Sequence, residues 1–198
     1  MALMAGRMII VMEATLLVLA GGGSRRMGRA KAWLEVGDGN LLGYVVERLA
    51  PAFSEVVVAF AEPEQIEQHV PYRVLFDRKP SAGPLAGLEV GLAGARHDVM
   101  FALACDMPYV ARATAEMAVA AARGCDAAIP RARGRPEPVC GAYNRSALPA
   151  ITAALNAGRF KTADLADHLE VTWLEDLDPE QFRSLNSPQD YRRFIDAI

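Results

Sequence analysis

The sequence predicts an α/β domain of three layers, α/β/α, in which helices cover both faces of a mostly parallel central sheet. Three observations lead to it. Thr15 to Ala20, Val56 to Phe60 and Val99 to Ala104 are short apolar runs with the length and composition of strands buried on both faces. Stretches with helical spacing of apolar residues separate such runs, and this alternation is the mark of parallel strands joined by crossovers. Finally, 198 residues, 52% of them hydrophobic, suit one full core. Ligands of such sheets sit beyond the carboxyl ends of the strands. Chemistry is therefore to be sought just after each run.

The formal net charge of −3 speaks against a nucleic-acid surface, because the cations are concentrated locally rather than spread. A small partner fits better. No run approaches the roughly 20 apolar residues of a membrane span. Arg7 and the apolar residues after it superficially resemble a secretory signal, but Glu13 interrupts them and Leu16 to Ala20 are needed for the first strand. Residues 1–12 are read as an extension and 13–198 as the domain. Cys105, Cys125 and Cys140 are odd in number and not at metal-ligand spacing, and His69, His97 and His168 are isolated from one another. These features predict a reduced, cytoplasmic protein without structural zinc.

In chain order, the first strand runs into Gly21, Gly22 and Gly23, which let the main chain bend and aim several N–H groups at one point. Ser24, Arg25, Arg26, Arg29 and Lys31 add a hydroxyl and four cations, so the natural guest is a polyphosphate. Neither common phosphate loop fits. After Gly28 a P-loop would need Lys and a hydroxyl where Arg29 and Ala30 stand, and a dinucleotide fingerprint from Gly21 would need glycine at Arg26. A turn at Gly37 to Asn40 leads into a helix from Leu41 to about Ala50, capped by Asn40 and ended by Pro51. The strand Val56 to Phe60, a short helix from Pro63 to His69 and the strand Arg73 to Phe76 follow.

Asp77 stands just past that third strand, as a site carboxylate or as a turn residue paired with Arg78 or Lys79. Asp106 ends the strand Val99 to Ala104; a carboxylate there calls for a cation, Mg2+ bridging two phosphates, or else caps the next helix. Cys105 reads as a small buried residue. A helix from Arg112 to Arg123 and a strand from Ala127 to Pro130 precede a loop bearing Arg131, Arg133 and Arg135, which is either a solvated basic loop or a binder of a second anionic substrate. Val139 to Tyr143 reads as an antiparallel strand, Ser146 to Asn156 as a helix and Val171 to Leu174 as a late strand. The closing helix runs through Ile195, with Ser187 as its cap and Pro188 as its first residue.

Leu19-Ala20-Gly21-Gly22-x-Ser24-x-Arg26-Met27-Gly28-x-x-Lys31 resembles the signature loop of the molybdenum cofactor guanylyltransferases, nucleotidyltransferases with a Rossmann-like, GT-A-like fold. Gly83-Pro84-Leu85-Ala86-Gly87, Cys105-Asp106-Met107-Pro108-Tyr109 and Asn186-Ser187-Pro188-Gln189-Asp190 resemble further elements of that family. The resemblance implies GTP as donor, molybdopterin-bound molybdenum as acceptor and Mg2+ as cofactor, with cofactor-delivery and acceptor enzymes as partners. It implies that Leu19 to Ser24, Lys31, Asp77 and Asp106 bind the nucleotide and that Arg26, Lys31 and Asp106 act in catalysis. Asp106 and Asn186 would hold the metal, and Gly83, Pro84, Leu85, Arg133 and Arg135 would face the pterin. Ala30 stands where the family commonly has aspartate, and Ala59 and Ala61 where close relatives have asparagines that read guanine. A cytidylyl- or sugar-1-phosphate nucleotidyltransferase, or a non-catalytic nucleotide-binding member of the fold, would share most of these features.

Overall fold

The computed structural model describes residues 11–21 and 30–198. The loop residues Gly22, Gly23, Ser24 and Arg26 lie outside the described residues, as do residues 1–10 of the extension. The first strand, β1, spans Met12–Leu19. A 3-10 turn at Lys31–Trp33 leads into a small hairpin of β2 (Glu35–Val36) and β3 (Gly39–Asn40). Asn40 caps α1 (Leu41–Leu49), its side-chain oxygen accepting the Gly43 N–H at 2.9 Å. Then come β4 (Phe53–Phe60), β5 (Arg73–Phe76), α2 (Pro84–Gly94), β6 (Val99–Ala104), α3 (Arg112–Ala122) and β7 (Ala127–Ala132). The chain ends with β8 (Arg135–Pro136), β9 (Cys140–Asn144), α4 (Leu148–Asn156), β10 (Val171–Leu174) and α5 (Pro188–Ile195). Among the described residues, no helix is long and apolar enough to cross a membrane.

The main sheet has the order β10-β7-β9-β6-β1-β4-β5, with β8 paired to β7 at one end. β1 lies parallel to both β4 and β6, β4 to β5, and β10 to β7, whereas β9 runs antiparallel to β6 and β7. Alternation along the strands sorts the core into two layers. Leu16, Val18, Val58, Phe60, Phe101 and Leu103 face the side covered by α1, α3 and α5. Leu17, Val57, Ala59, Met100 and Ala102 face the side covered by α2 and α4. The expected three-layer, mostly parallel architecture is the observed one.

Two local readings change. The helix expected from Pro63 to His69 is only a 3-10 turn, Pro63–Gln65. The Trp33 Nε1–H donates to the Gln65 carbonyl at 2.7 Å, taking the acceptor that a continuing helix would use, and Ile66 is extended. Secondly, α2 was not expected as a helix. Its residues Leu85 to Leu92 are buried on every side, so it carries no apolar stripe, and three of its eleven residues are glycine, a poor helix former.

Candidate active site

Hydrogen bonds that prolong the parallel ladder bring several predicted residues to one edge. The Ala20 N–H donates to the Ala59 carbonyl at 2.8 Å, the Cys105 N–H to the Leu19 carbonyl at 3.0 Å and the Asp77 N–H to the Phe60 carbonyl at 3.0 Å. Gly21, Asp77 and Asp106 consequently line one crevice of about 500 Å³, together with Leu19, Lys31, Ala59, Gly83 and Pro84. Only glycine fits at position 21: a Cβ there would sit 2.4 Å from the Ala61 nitrogen. The main chain thus passes from β1 toward residues 22–29 in contact with the end of β4.

At the opposite end of that segment, the Lys31 ammonium donates to Asp106 Oδ2 at 2.6 Å and to Asn186 Oδ1 at 2.8 Å. Three residues far apart in sequence therefore meet at one point. Asn186 is delivered by main-chain pairing, because the Leu185 N–H donates to the Asp106 carbonyl at 2.9 Å. The start of α5 fixes the next residue. Ser187 Oγ accepts the Asp190 N–H at 3.1 Å, while Asp190 Oδ2 accepts from the Ser187 N–H at 2.9 Å and from Ser187 Oγ at 2.7 Å. That last hydrogen bond is the main reason the Asp190 carboxyl titrates below its ordinary value.

Asp106 and Asn186 present a carboxylate and an amide oxygen to one positive charge, which is the hard donor set that Mg2+ prefers. Among the described residues, no group of three or more His, Cys, Asp and Glu is placed to hold a metal ion. A divalent ion here would take few protein ligands and complete its shell with phosphate and water, as Mg2+ does at nucleotide sites. The residues present fit that arrangement once the Lys31 ammonium, which here occupies both oxygens, turns to phosphate.

Asp77 is half-buried, and its Oδ1 is a buried atom with no hydrogen-bond partner among the described residues. Burial raises its pKa to about 7, with the Glu89 carboxylate on α2 adding to the effect. Glu89 is itself buried and paired with Arg78 at 3.1 Å, so Arg78 serves Glu89 and leaves Asp77 turned to the crevice. Cys105 is buried beside Asp106, and burial pushes its thiol up to about 12, the property of an inert packing residue.

The residues expected on the pterin side are not all together. Gly83 and Pro84 line the crevice, whereas Leu85 is fully buried in the core beneath it. Arg133 and Gly134 form the two-residue turn between β7 and β8, both with positive φ, and the Arg133 guanidinium pairs with Glu180 at 2.8 Å. Neither Arg133 nor Arg135 lines the crevice. Arg131 stacks over Trp173 at 3.8 Å from the ring centre and pairs with Glu175. Sequence reasoning missed Ser184 and Val139, which do line it, and Glu89, which adds to the effect of burial on Asp77. Ser184 stands two residues before Asn186, and that nearness was the one available signal.

A family model described as a MobA-like NTP transferase domain matches residues 16–171. The chain is 32% identical to a probable molybdenum cofactor guanylyltransferase of Pelotomaculum thermopropionicum, over 88% of this chain and 83% of that protein. It is also 32% identical to a molybdenum cofactor guanylyltransferase of Syntrophotalea carbinolica, over 90% of this chain and 89% of that one. Among solved structures, molybdopterin-guanine dinucleotide biosynthesis protein A from Archaeoglobus fulgidus superposes with a TM-score of 0.79 at 25% identity, covering 92% of this chain and 97% of its own. The 2-C-methyl-D-erythritol 4-phosphate cytidylyltransferase of Thermus thermophilus shares the fold, with a TM-score of 0.71 at 21% identity and coverage of 94% and 98%.

Proposed function

Because the chain belongs to the MobA-like NTP transferase family and is thus a nucleotidyltransferase of molybdenum cofactor biosynthesis, we propose that it transfers GMP from GTP to molybdopterin-bound molybdenum cofactor. The products would be the guanine dinucleotide form of the cofactor and pyrophosphate. The observation that carries this reading is the meeting of Lys31 and Asp106, which line the strand-end crevice with Gly21, and of Asn186, which the Lys31 ammonium joins to them. An ionised phosphate oxygen of the acceptor forms a bond to the α-phosphorus of GTP while the bond to the α–β bridging oxygen breaks. Pyrophosphate leaves with that electron pair. No general base is needed, and the protein contributes position and charge.

In this reading Leu19 and Ala20 end the strand that delivers the loop, and Gly21, Gly22, Gly23 and Ser24 bind the triphosphate. Arg26 and Lys31 offset charge on the α-phosphate and on the departing pyrophosphate. Asp77 meets the nucleoside. Asp106 and Asn186 would hold Mg2+, which when bound would supply further neutralisation of phosphate charge. Gly83 and Pro84, which line the crevice, would face the pterin, with Leu85 buried beneath them.

Ala59 lines the crevice without a side chain able to read a base, which favours a second reading in which another nucleotide is the donor. Calorimetry with GTP, CTP, ATP and UTP in the presence of Mg2+ separates the two. A GTP preference is expected; a CTP preference would move the chain to a cytidylyl activity on the same acceptor. Asp106→Ala is expected to abolish metal-dependent turnover with the fold intact, and full activity in that variant would remove the metal assignment.

A further inference from the structure

Gly21 and Lys31 flank residues 22–29, and one turn outside the crevice reaches both flanks. It is the 3-10 turn Pro63–Gln65 after β4. The Gln65 side-chain oxygen accepts the Ala61 N–H at 2.9 Å and the Glu62 N–H at 3.3 Å. Two main-chain donors on one oxygen fix which way the amide faces. The amide nitrogen therefore points the other way, where it donates to the Gly21 carbonyl at 3.4 Å. The main-chain carbonyl of the same residue accepts the Trp33 Nε1–H at 2.7 Å. Trp33, two residues beyond Lys31, is almost wholly buried and stacks on Phe60 with ring centres 5.9 Å apart.

We infer that Gln65 is a positioning residue for the phosphate-binding loop: it clamps the Gly21 main chain to the end of β4 and thereby sets where the loop leaves the sheet. It is not among the residues that line the crevice. Its action passes through Gly21, whose backbone already approaches Ala61 so closely that no side chain fits between them. A residue that only shaped the turn would need its oxygen alone, because Ala61 and Glu62 are the turn's donors. The bond from the amide nitrogen to Gly21 serves the loop instead. Since the Ala61 N–H is consumed by Gln65, it is also withheld from the nucleotide.

Two substitutions separate these roles. Gln65→Glu keeps an acceptor for Ala61 and Glu62 but sets a carboxylate oxygen against the Gly21 carbonyl, two acceptors that repel. Gln65→Leu removes both sets of bonds. The inference rests on the nucleotide-binding reading above, so each protein is titrated calorimetrically with the Mg2+ complex of whichever triphosphate the unaltered chain binds most tightly. Gln65→Glu is expected to bind up to about tenfold more weakly, the upper value of one hydrogen bond (~1.4 kcal/mol), and Gln65→Leu, which loses all three, more weakly still. In steady state the nucleotide KM is expected to rise similarly while kcat stays within about threefold. Gln65→Glu is expected to melt within ~2 °C of the unaltered chain, so that its loss of affinity is not a loss of fold. Wild-type affinity and KM in Gln65→Glu would overturn the inference, as would a fall in kcat at constant KM. An unaltered chain that binds no triphosphate would overturn the nucleotide reading, and the inference with it.

Discussion

Asp77 combines a buried carboxylate oxygen, unpartnered among the described residues, with a pKa raised to about 7 by burial and by Glu89. The raised value means that the folded chain holds this proton more tightly than the unfolded chain, whose carboxyl titrates near 3.8. Ionisation therefore costs stability progressively as pH rises from about 4 to about 7, and the loss is complete above that window. Asp77→Asn, which cannot ionise, is expected to be more stable than the parent at about pH 8, by on the order of 1 kcal/mol after allowance for partial solvent screening. The gain should shrink toward zero near pH 4, and paired denaturant titrations at the two pH values measure it. Nucleotide affinity should fall in the same variant. Lys31 presents the opposite balance. Its pairing with Asp106 is largely screened from solvent, so Lys31→Met, which leaves that carboxylate without its cation, should lower the melting temperature by a few degrees. Turnover in that variant should fall by about 100-fold or more, as read by pyrophosphate release.

At the scale of the element, α2 depends on glycines that allow a helix to lie directly on the sheet. A Cβ at Gly91 would come within 2.5 Å of Leu17 Cδ2 and 3.0 Å of Met100 Sδ, and both of those residues are fully buried. Gly91→Ala is expected to destabilise by about 1–3 kcal/mol despite its better helix propensity, which a denaturant midpoint will show. The same glycines explain why α2 escaped the sequence reading: a helix buried all round has no stripe to display, and glycine weakens its propensity. Elements with one exposed face were legible. α1 announced itself through Asn40 and the spacing of Leu41, Leu42, Val45, Val46 and Leu49, all of which are buried on one side. The strands β5 and β6 were found with their observed limits, Arg73–Phe76 and Val99–Ala104. The Pro63 turn was over-read as a helix because its length is decided by Trp33, a partner 32 positions away in the chain.

For the molecule as a whole, the crevice is made by strand ends, and this is why Gly21, Asp77 and Asp106 could be chosen from sequence: each directly follows an apolar run. Residues brought in from elsewhere were less visible. Asn186 was found through resemblance and Ser184 not at all, since nothing local in the sequence shows that the Leu185 segment pairs with Asp106. A ligand that joins these distant pieces should stabilise the entire domain. Mg2+ with GTP at about 100 times its dissociation constant is expected to add ~2.7 kcal/mol, a rise of about 5–10 °C in melting temperature for a chain of this size. Scanning calorimetry with and without EDTA tests it. The cluster at the mouth is also a matter of timing. Lys31 is 75 positions from Asp106 and 155 from Asn186, so a chain still being synthesised acquires its lysine and aspartate long before the asparagine emerges. Competence for metal-assisted transfer would thus be conferred last, and a nascent or C-terminally clipped chain would carry a glycine loop with half of its cation seat missing.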